Sequence, residues 1–164
     1  MTQLAPDRRA FLLASAAALA AAVAAPAFAA DPYAASPFRK LTQADWKARL
    51  APAGFEVLRH EGTEPPGTSP LLREHRKGTF VCAGCGLALF RSDWKFESGT
   101  GWPSFYTAIK GALGKKTDLQ IGIPRTEYHC ARCLGHQGHV FEDGPRPTGL
   151  RYCNNGVALK FVPA

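Results

Sequence analysis

The sequence predicts a mainly β domain held together by sulfur, with little helix. Three observations carry that reading. From Gly78 onward the chain runs in short apolar stretches rich in aromatics and glycine, with no sustained 3.6-residue period. Two C-x-x-C knuckles, Cys82-Ala83-Gly84-Cys85 and Cys130-Ala131-Arg132-Cys133, each follow a short β-like run and lie a domain's width apart. Near the C-terminus, apolar-alternating runs at His136 to Phe141 and Leu150 to Asn155 flank a loop dense in Gly and Pro, the pattern of a β-hairpin with a long connection.

The elements in front of this region read differently. Residues 1–29 are expected to be a twin-arginine-type signal peptide. Arg8-Arg9 precede Ala10-Phe11-Leu12-Leu13 and an Ala-rich run, and Ala27-Phe28-Ala29 is a small-x-small cleavage site. A membrane anchor is the poorer reading, since the apolar run is short, dominated by Ala and broken by Pro26. Export to the periplasm is therefore expected. The whole chain carries 20 Lys and Arg against 13 Asp and Glu. Loss of the leader removes Arg8, Arg9 and Asp7, and the remaining positive charge is scattered, so no nucleic-acid footprint is expected. A monomer is expected.

Residues 30–40 read as an extended, Pro-containing lead-in, and residues 41–164 as the domain proper. Thr42-Gln43-Ala44-Asp45 is a capping box, with Leu41 and Trp46 placed as a hydrophobic staple. It predicts a short helix from about Gln43 to Leu50, stopped by Pro52 and Gly54. The Pro- and Gly-rich stretch from Glu61 to Pro70 is either the rim of a site or a connector.

Paired C-x-x-C knuckles are a strong zinc signal: Cys82, Cys85, Cys130 and Cys133 supply four thiolates, and a closed tetrahedral site of that kind is structural. Two disulfides, or one redox-active C-x-x-C, are the rival readings. Cys153 is the fifth and remaining cysteine. If the C-terminal hairpin is symmetric about Arg146, Phe141 faces Arg151 and His139 faces Cys153, with Cβ atoms about 4.5–5.5 Å apart. Strand alternation puts Arg151, Cys153 and Asn155 on one face. A thiol beside an imidazole and a guanidinium predicts a reactive thiol of low pKa. Taken alone, Cys153 reads as readily as a buried small hydrophobe. Trp102, between Gly99-Thr100-Gly101 and Pro103, is a large aromatic on a tight turn and is expected to form the wall of a binding site.

These motifs together, Gly-Trp-Pro-Ser-Phe at 101–105, the two knuckles, His-x-Gly-His-Val-Phe at 136–141, Asp-Gly-Pro-x-Pro-Thr-Gly at 143–149 and Arg-Tyr-Cys at 151–153, resemble the peptide methionine sulfoxide reductase B family. The resemblance runs from about Leu41 to the end. It implies a zinc-braced antiparallel β-sheet domain of two small sheets with short N-terminal helices. The implied activity is reduction of the R epimer of methionine sulfoxide in proteins or peptides, through a Cys153 sulfenic acid and with a thioredoxin-like or other thiol reductant. It further implies Cys153 as nucleophile, His139 and Asn155 holding the sulfoxide oxygen, Trp102 against the substrate methyl group, and His136, Asp143 and Arg151 lining or supporting the pocket. The implied metal ligands are Cys82, Cys85, Cys130 and Cys133. Thr100 stands where many members carry a resolving cysteine, and Leu134, Gln137, Asn154 and Gly156 also depart from the expected pattern. The competing functions are a zinc-stabilised β binding module without catalysis and a C-x-x-C thiol–disulfide exchange protein.

Overall fold

The computed structural model describes residues 1–2 and 31–164; the expected leader beyond Thr2, with its cleavage site, lies outside the described residues. In place of the extended lead-in, residues 32–35 make a turn and Pro37–Lys40 a 3-10 helix. Helix α1 spans Gln43–Arg49, and its capping box forms in both directions. Thr42 Oγ1 accepts from the Asp45 N–H at 3.2 Å, and Asp45 Oδ2 accepts from the Thr42 N–H at 2.9 Å.

The stop expected at Pro52 and Gly54 is also a start. Helix α2 spans Pro52–His60, with Pro52 in its first turn, where a missing N–H costs nothing and the fixed φ suits the helix. It buries Phe55, Val57 and Leu58, and Gly54 admits the Val157 carbonyl to its surface.

All the paired strands are antiparallel. Strands β1 (Gly78–Cys82), β2 (Ala88–Arg91) and β9 (Leu159–Pro163) form a three-stranded sheet in the order β2-β1-β9. Strands β3 (Lys95–Phe96), β4 (Ser104–Phe105), β5 (Leu113–Asp118), β6 (Arg125–Cys130), β7 (His136–Phe141) and β8 (Arg151–Asn154) form a six-stranded sheet in the order β3-β4-β8-β7-β6-β5. Aromatics from both sheets make the core. Phe90 of β2 stacks on Phe105 of β4 at 4.2 Å, Phe80 of β1 meets Phe105 edge-on at 4.9 Å, and Tyr128 of β6 meets Tyr152 of β8 at 5.3 Å.

The second fastening between the sheets is sulfur. Cys82 ends β1 in one sheet and Cys130 ends β6 in the other, and each is followed by its knuckle partner. All four sulfurs lie within 4.8 Å of one another. The nearest pairs cross between knuckles, Cys82 with Cys133 at 3.6 Å and Cys85 with Cys130 at 3.4 Å. A zinc tetrahedron at the usual Zn–S length has edges of about 3.8 Å, so this donor set fits one zinc ion rather than two bridges inside the knuckles. Arg39 and Arg59 donate to the carbonyls of Ala131 and Cys133, and Arg132 donates to that of Cys85, so the knuckle backbones are held from three sides.

Candidate active site

The β7–β8 hairpin has the register its sequence predicts: His139 pairs with Cys153 and Phe141 with Arg151. Gly138 permits the close crossing, because a Cβ there would come within 1.9 Å of the Cys153 carbonyl oxygen. A cavity of about 130 Å³ opens beside Cys153, walled in part by Trp102, His139, Phe141, Arg125, Thr63 and Asn155. That volume suits one side chain.

Trp102 is fixed from the loop at 61–70, which is therefore a rim and not a plain connector. Its indole N–H donates to the Glu64 carbonyl at 3.0 Å, and the Gly67 N–H donates to the Gly101 carbonyl at 2.8 Å. Gly101 has φ of 92° and lies against Pro66, so the turn needs glycine both for its backbone and for that contact. Glu64 also organises the far end of β8. Its buried carboxylate accepts from the N–H groups of Gly156 and Val157, and its own N–H donates to Asn155 Oδ1 at 3.0 Å. Asn155 Nδ2 donates to the Gln137 carbonyl at 3.1 Å, which leaves one amide N–H for the cavity that Asn155 lines.

His139 has a partner the sequence did not announce. Its Nε2 lies 2.7 Å from Asp118 Oδ2, and Asp118 also pairs with Arg125 at 2.5 Å. A backbone N–H from Gln120, His139 and Arg125 hold the Asp118 carboxyl down to about 2. It is therefore an acceptor, the proton of neutral His139 is on Nε2, and Nδ1 keeps its lone pair. Burial pushes the His139 pKa down, and the Asp118 hydrogen bond works against it. An imidazole held by a carboxylate opposite a thiol is the arrangement that generates a nucleophile.

The expectation of a low-pKa thiol is not met in the free site. Burial, the largest influence, pushes the Cys153 thiol up, and Arg151 and Thr100 only partly oppose it. Arg151 favours the thiolate but is shared with other partners: Nε and Nη2 each donate to Asp143 at 2.8 Å, and the guanidinium lies 4.4 Å over the Phe141 ring. Arg151, Asp143 and His136 thus stand behind the cavity wall. His136 is buried, with Nδ1 2.9 Å from Glu127 Oε1 and its ring edge-on to His139 at 5.5 Å.

The model of the SelR domain matches residues 50–163. The chain belongs to this family, that of peptide methionine sulfoxide reductase B. Among its relatives is a protein of Leptospira interrogans named peptide methionine sulfoxide reductase MsrB, 55% identical over 118 residues, covering 71% of this chain and 90% of that protein. Proteins of the same name from Bradyrhizobium diazoefficiens and Thiobacillus denitrificans are each 50% identical over 123 residues, covering 74% of this chain and 88% and 93% of theirs.

The positions at which this SelR chain departs from the expected pattern have local explanations. Gln137 and Asn154 form one buried polar group: Tyr128 Oη donates to Asn154 Oδ1 at 2.9 Å, Asn154 Nδ2 approaches Gln137 Oε1 at 3.4 Å, and Gln137 Nε2 donates to Cys82 Sγ at 3.4 Å. Gly156 makes room for Ser69, whose Oγ lies 1.8 Å from where a Cβ would sit. Leu134 holds, at φ of 60°, the place in the second knuckle that Gly86 holds at 74° in the first. Both N–H groups close the same turn, Gly86 to Cys82 and Leu134 to Cys130.

Proposed function

We propose that this protein reduces the R epimer of methionine sulfoxide in peptides and proteins to methionine. The observation that carries the reading is the placing of Cys153 opposite a carboxylate-held imidazole, with an aromatic wall across a cavity the size of one side chain, in a SelR chain. Trp102 packs against the S-methyl group. The sulfoxide oxygen is held by the free Asn155 amide N–H and by His139, whose Nδ1 takes the proton of Cys153 and delivers it to that oxygen. The Asp118 carboxylate stabilises the imidazolium formed between those steps. The Cys153 thiolate attacks the substrate sulfur. The substrate sulfur gains two electrons and leaves as the thioether, its oxygen passes to Cys153, and the thiol proton ends on that oxygen as Cys–S–OH. An external dithiol returns the thiol, giving a disulfide of its own and water.

A zinc held by Cys82, Cys85, Cys130 and Cys133 supplies cohesion between the two sheets and takes no part in the chemistry. Glu64 and Gln137 act by placing Trp102 and Asn155. Delivery to the periplasm through the leader at 1–29 is part of the same proposal, supported by the paired arginines and the small-x-small site. The test is turnover of a peptide carrying R or S methionine sulfoxide with dithiothreitol as reductant. Reduction of the R peptide alone, abolished in Cys153→Ser, is expected; binding without turnover would leave a recognition module instead.

A further inference from the structure

A row of hydroxyls crosses the turn at 98–104 and ends at the reactive sulfur. Ser104, the register partner of Cys153 across β4 and β8, is wholly buried, and its hydroxyl donates to the Trp102 carbonyl at 3.1 Å. Ser104 Oγ lies 2.8 Å from Ser98 Oγ, and Ser98 Oγ lies 2.8 Å from Thr100 Oγ1. Thr100 Oγ1 is 4.0 Å from Cys153 Sγ. The Thr100 N–H approaches Ser98 Oγ at 3.4 Å and steadies the middle of the row without using a hydroxyl proton.

Proton counting fixes what this row does. It has four links and three hydroxyl protons. When Cys153 is a thiol with its S–H turned toward Thr100 instead of His139, S–H supplies the fourth, and every link is filled by protons running from Cys153 through Thr100, Ser98 and Ser104 to the Trp102 carbonyl. When Cys153 is ionised, one link goes empty. Two oxygens facing each other at 2.8 Å with no proton between them repel, so the empty link falls at an end of the row. The Ser104–Trp102 end is the longest oxygen–oxygen link, and the other end holds an anion, which gains more from a donor than a neutral carbonyl does. The row therefore turns round.

We propose that Thr100 is a positioning residue for Cys153: its hydroxyl donates to the thiolate before attack and to the sulfenic oxygen afterwards, while Ser98 and Ser104 reverse behind it. This deepens the reductase reading and rests on it. The groups facing Cys153 are Arg151 on its own strand, Asp143 and His139 on the hairpin and Arg125 on the cavity wall. The row supplies a donor to the sulfur that adds no charge to this set and whose direction follows the state of the sulfur.

The experiment is the pH dependence of Cys153 alkylation by iodoacetamide, read by peptide mass on zinc-loaded wild type, Thr100→Val, Thr100→Ser and Thr100→Ala. Loss of the hydroxyl in Thr100→Val moves the midpoint up by about half to one pH unit, as expected for one long hydrogen bond to an anion. Thr100→Ser restores the wild-type midpoint. Thr100→Ala also lacks the hydroxyl, without the branched side chain of Val; it shifts the midpoint in the same direction and decides the matter if Thr100→Val does not fold. After one turnover, the sulfenic acid of Thr100→Val is over-oxidised by peroxide several-fold faster than that of wild type. An unmoved midpoint in Thr100→Val, or in Thr100→Ala if the former does not fold, overturns the proposal and leaves Thr100 as packing. Alkylation needs no substrate, so that result is separate from the reductase assay: wild type inactive on R sulfoxide refutes the function, and an unmoved midpoint refutes Thr100 alone.

Discussion

At the scale of single residues, the site works by commitments already made. Arg151 is bound to Asp143, so it orients the hairpin more than it ionises Cys153, and the substrate-free thiol is expected to alkylate with a midpoint above its ordinary value of 9.0. Asp118 commits His139 to one tautomer. Asp118→Asn should lower kcat by about 10²–10³-fold, and adding His139→Ala should cost little more, because the two act as one unit. The same carboxylate makes a signed contribution to stability. Its folded pKa of about 2 is below the ordinary 3.8, so the contribution is complete above 3.8 and is lost as pH falls toward 2. Acid unfolding of wild type and Asp118→Asn should therefore converge at the low end. Leu134 tests the knuckle: a left-handed non-Gly residue is strained, and Leu134→Gly should raise stability by about 1 kcal/mol in urea unfolding of the zinc-loaded protein. A loss of stability there would mean that the exposed Leu134 side chain contributes more than the strain costs.

At the scale of elements, what the sequence made legible depends on whether the signal is local. The pairing of His139 with Cys153 was readable because alternation and a symmetric loop fix register inside one hairpin. Asp118 was not, since it arrives from β5 on the far side of β6, and nothing near residue 118 says which imidazole it will meet. Glu64 was hidden for the same reason. It reads as a loop acid, yet it holds Trp102 from 38 residues away and the N–H of Gly156 from 92. Helix α2 was missed because Pro52 signals both the end of one helix and the first turn of the next. The buried polar group of Tyr128, Asn154 and Gln137 gives an element-scale prediction. Tyr128→Phe should cost about 1 kcal/mol alone, for a lost hydrogen bond. In an Asn154→Leu background it should cost nothing or stabilise, since the hydroxyl is then orphaned in the core. Equal costs in both backgrounds, measured by thermal unfolding, would show that these side chains are not coupled.

At the scale of the whole molecule, one four-sulfur cluster ties the end of β1 to the end of β6, and so ties the three-stranded sheet to the sheet that carries the site. Chelation of zinc, or Cys85→Ser, should lower the melting temperature and the activity together, because metal binding and folding are linked. A metal-free protein with the wild-type melting temperature would contradict that. The arrangement also decides how the enzyme is recycled. Of five cysteines, four are gathered in the cluster, and Thr100 beside Cys153 has no thiol to offer. The most direct test is one turnover on an R methionine sulfoxide peptide without reductant, followed by intact mass and peptide mapping. The expected result is one methionine released per active site, one oxygen added to the Cys153 peptide, and full recovery of the thiol with dithiothreitol. A disulfide joining Cys153 to Cys82, Cys85, Cys130 or Cys133 would contradict the account, since a supposed zinc ligand would then be the resolving thiol.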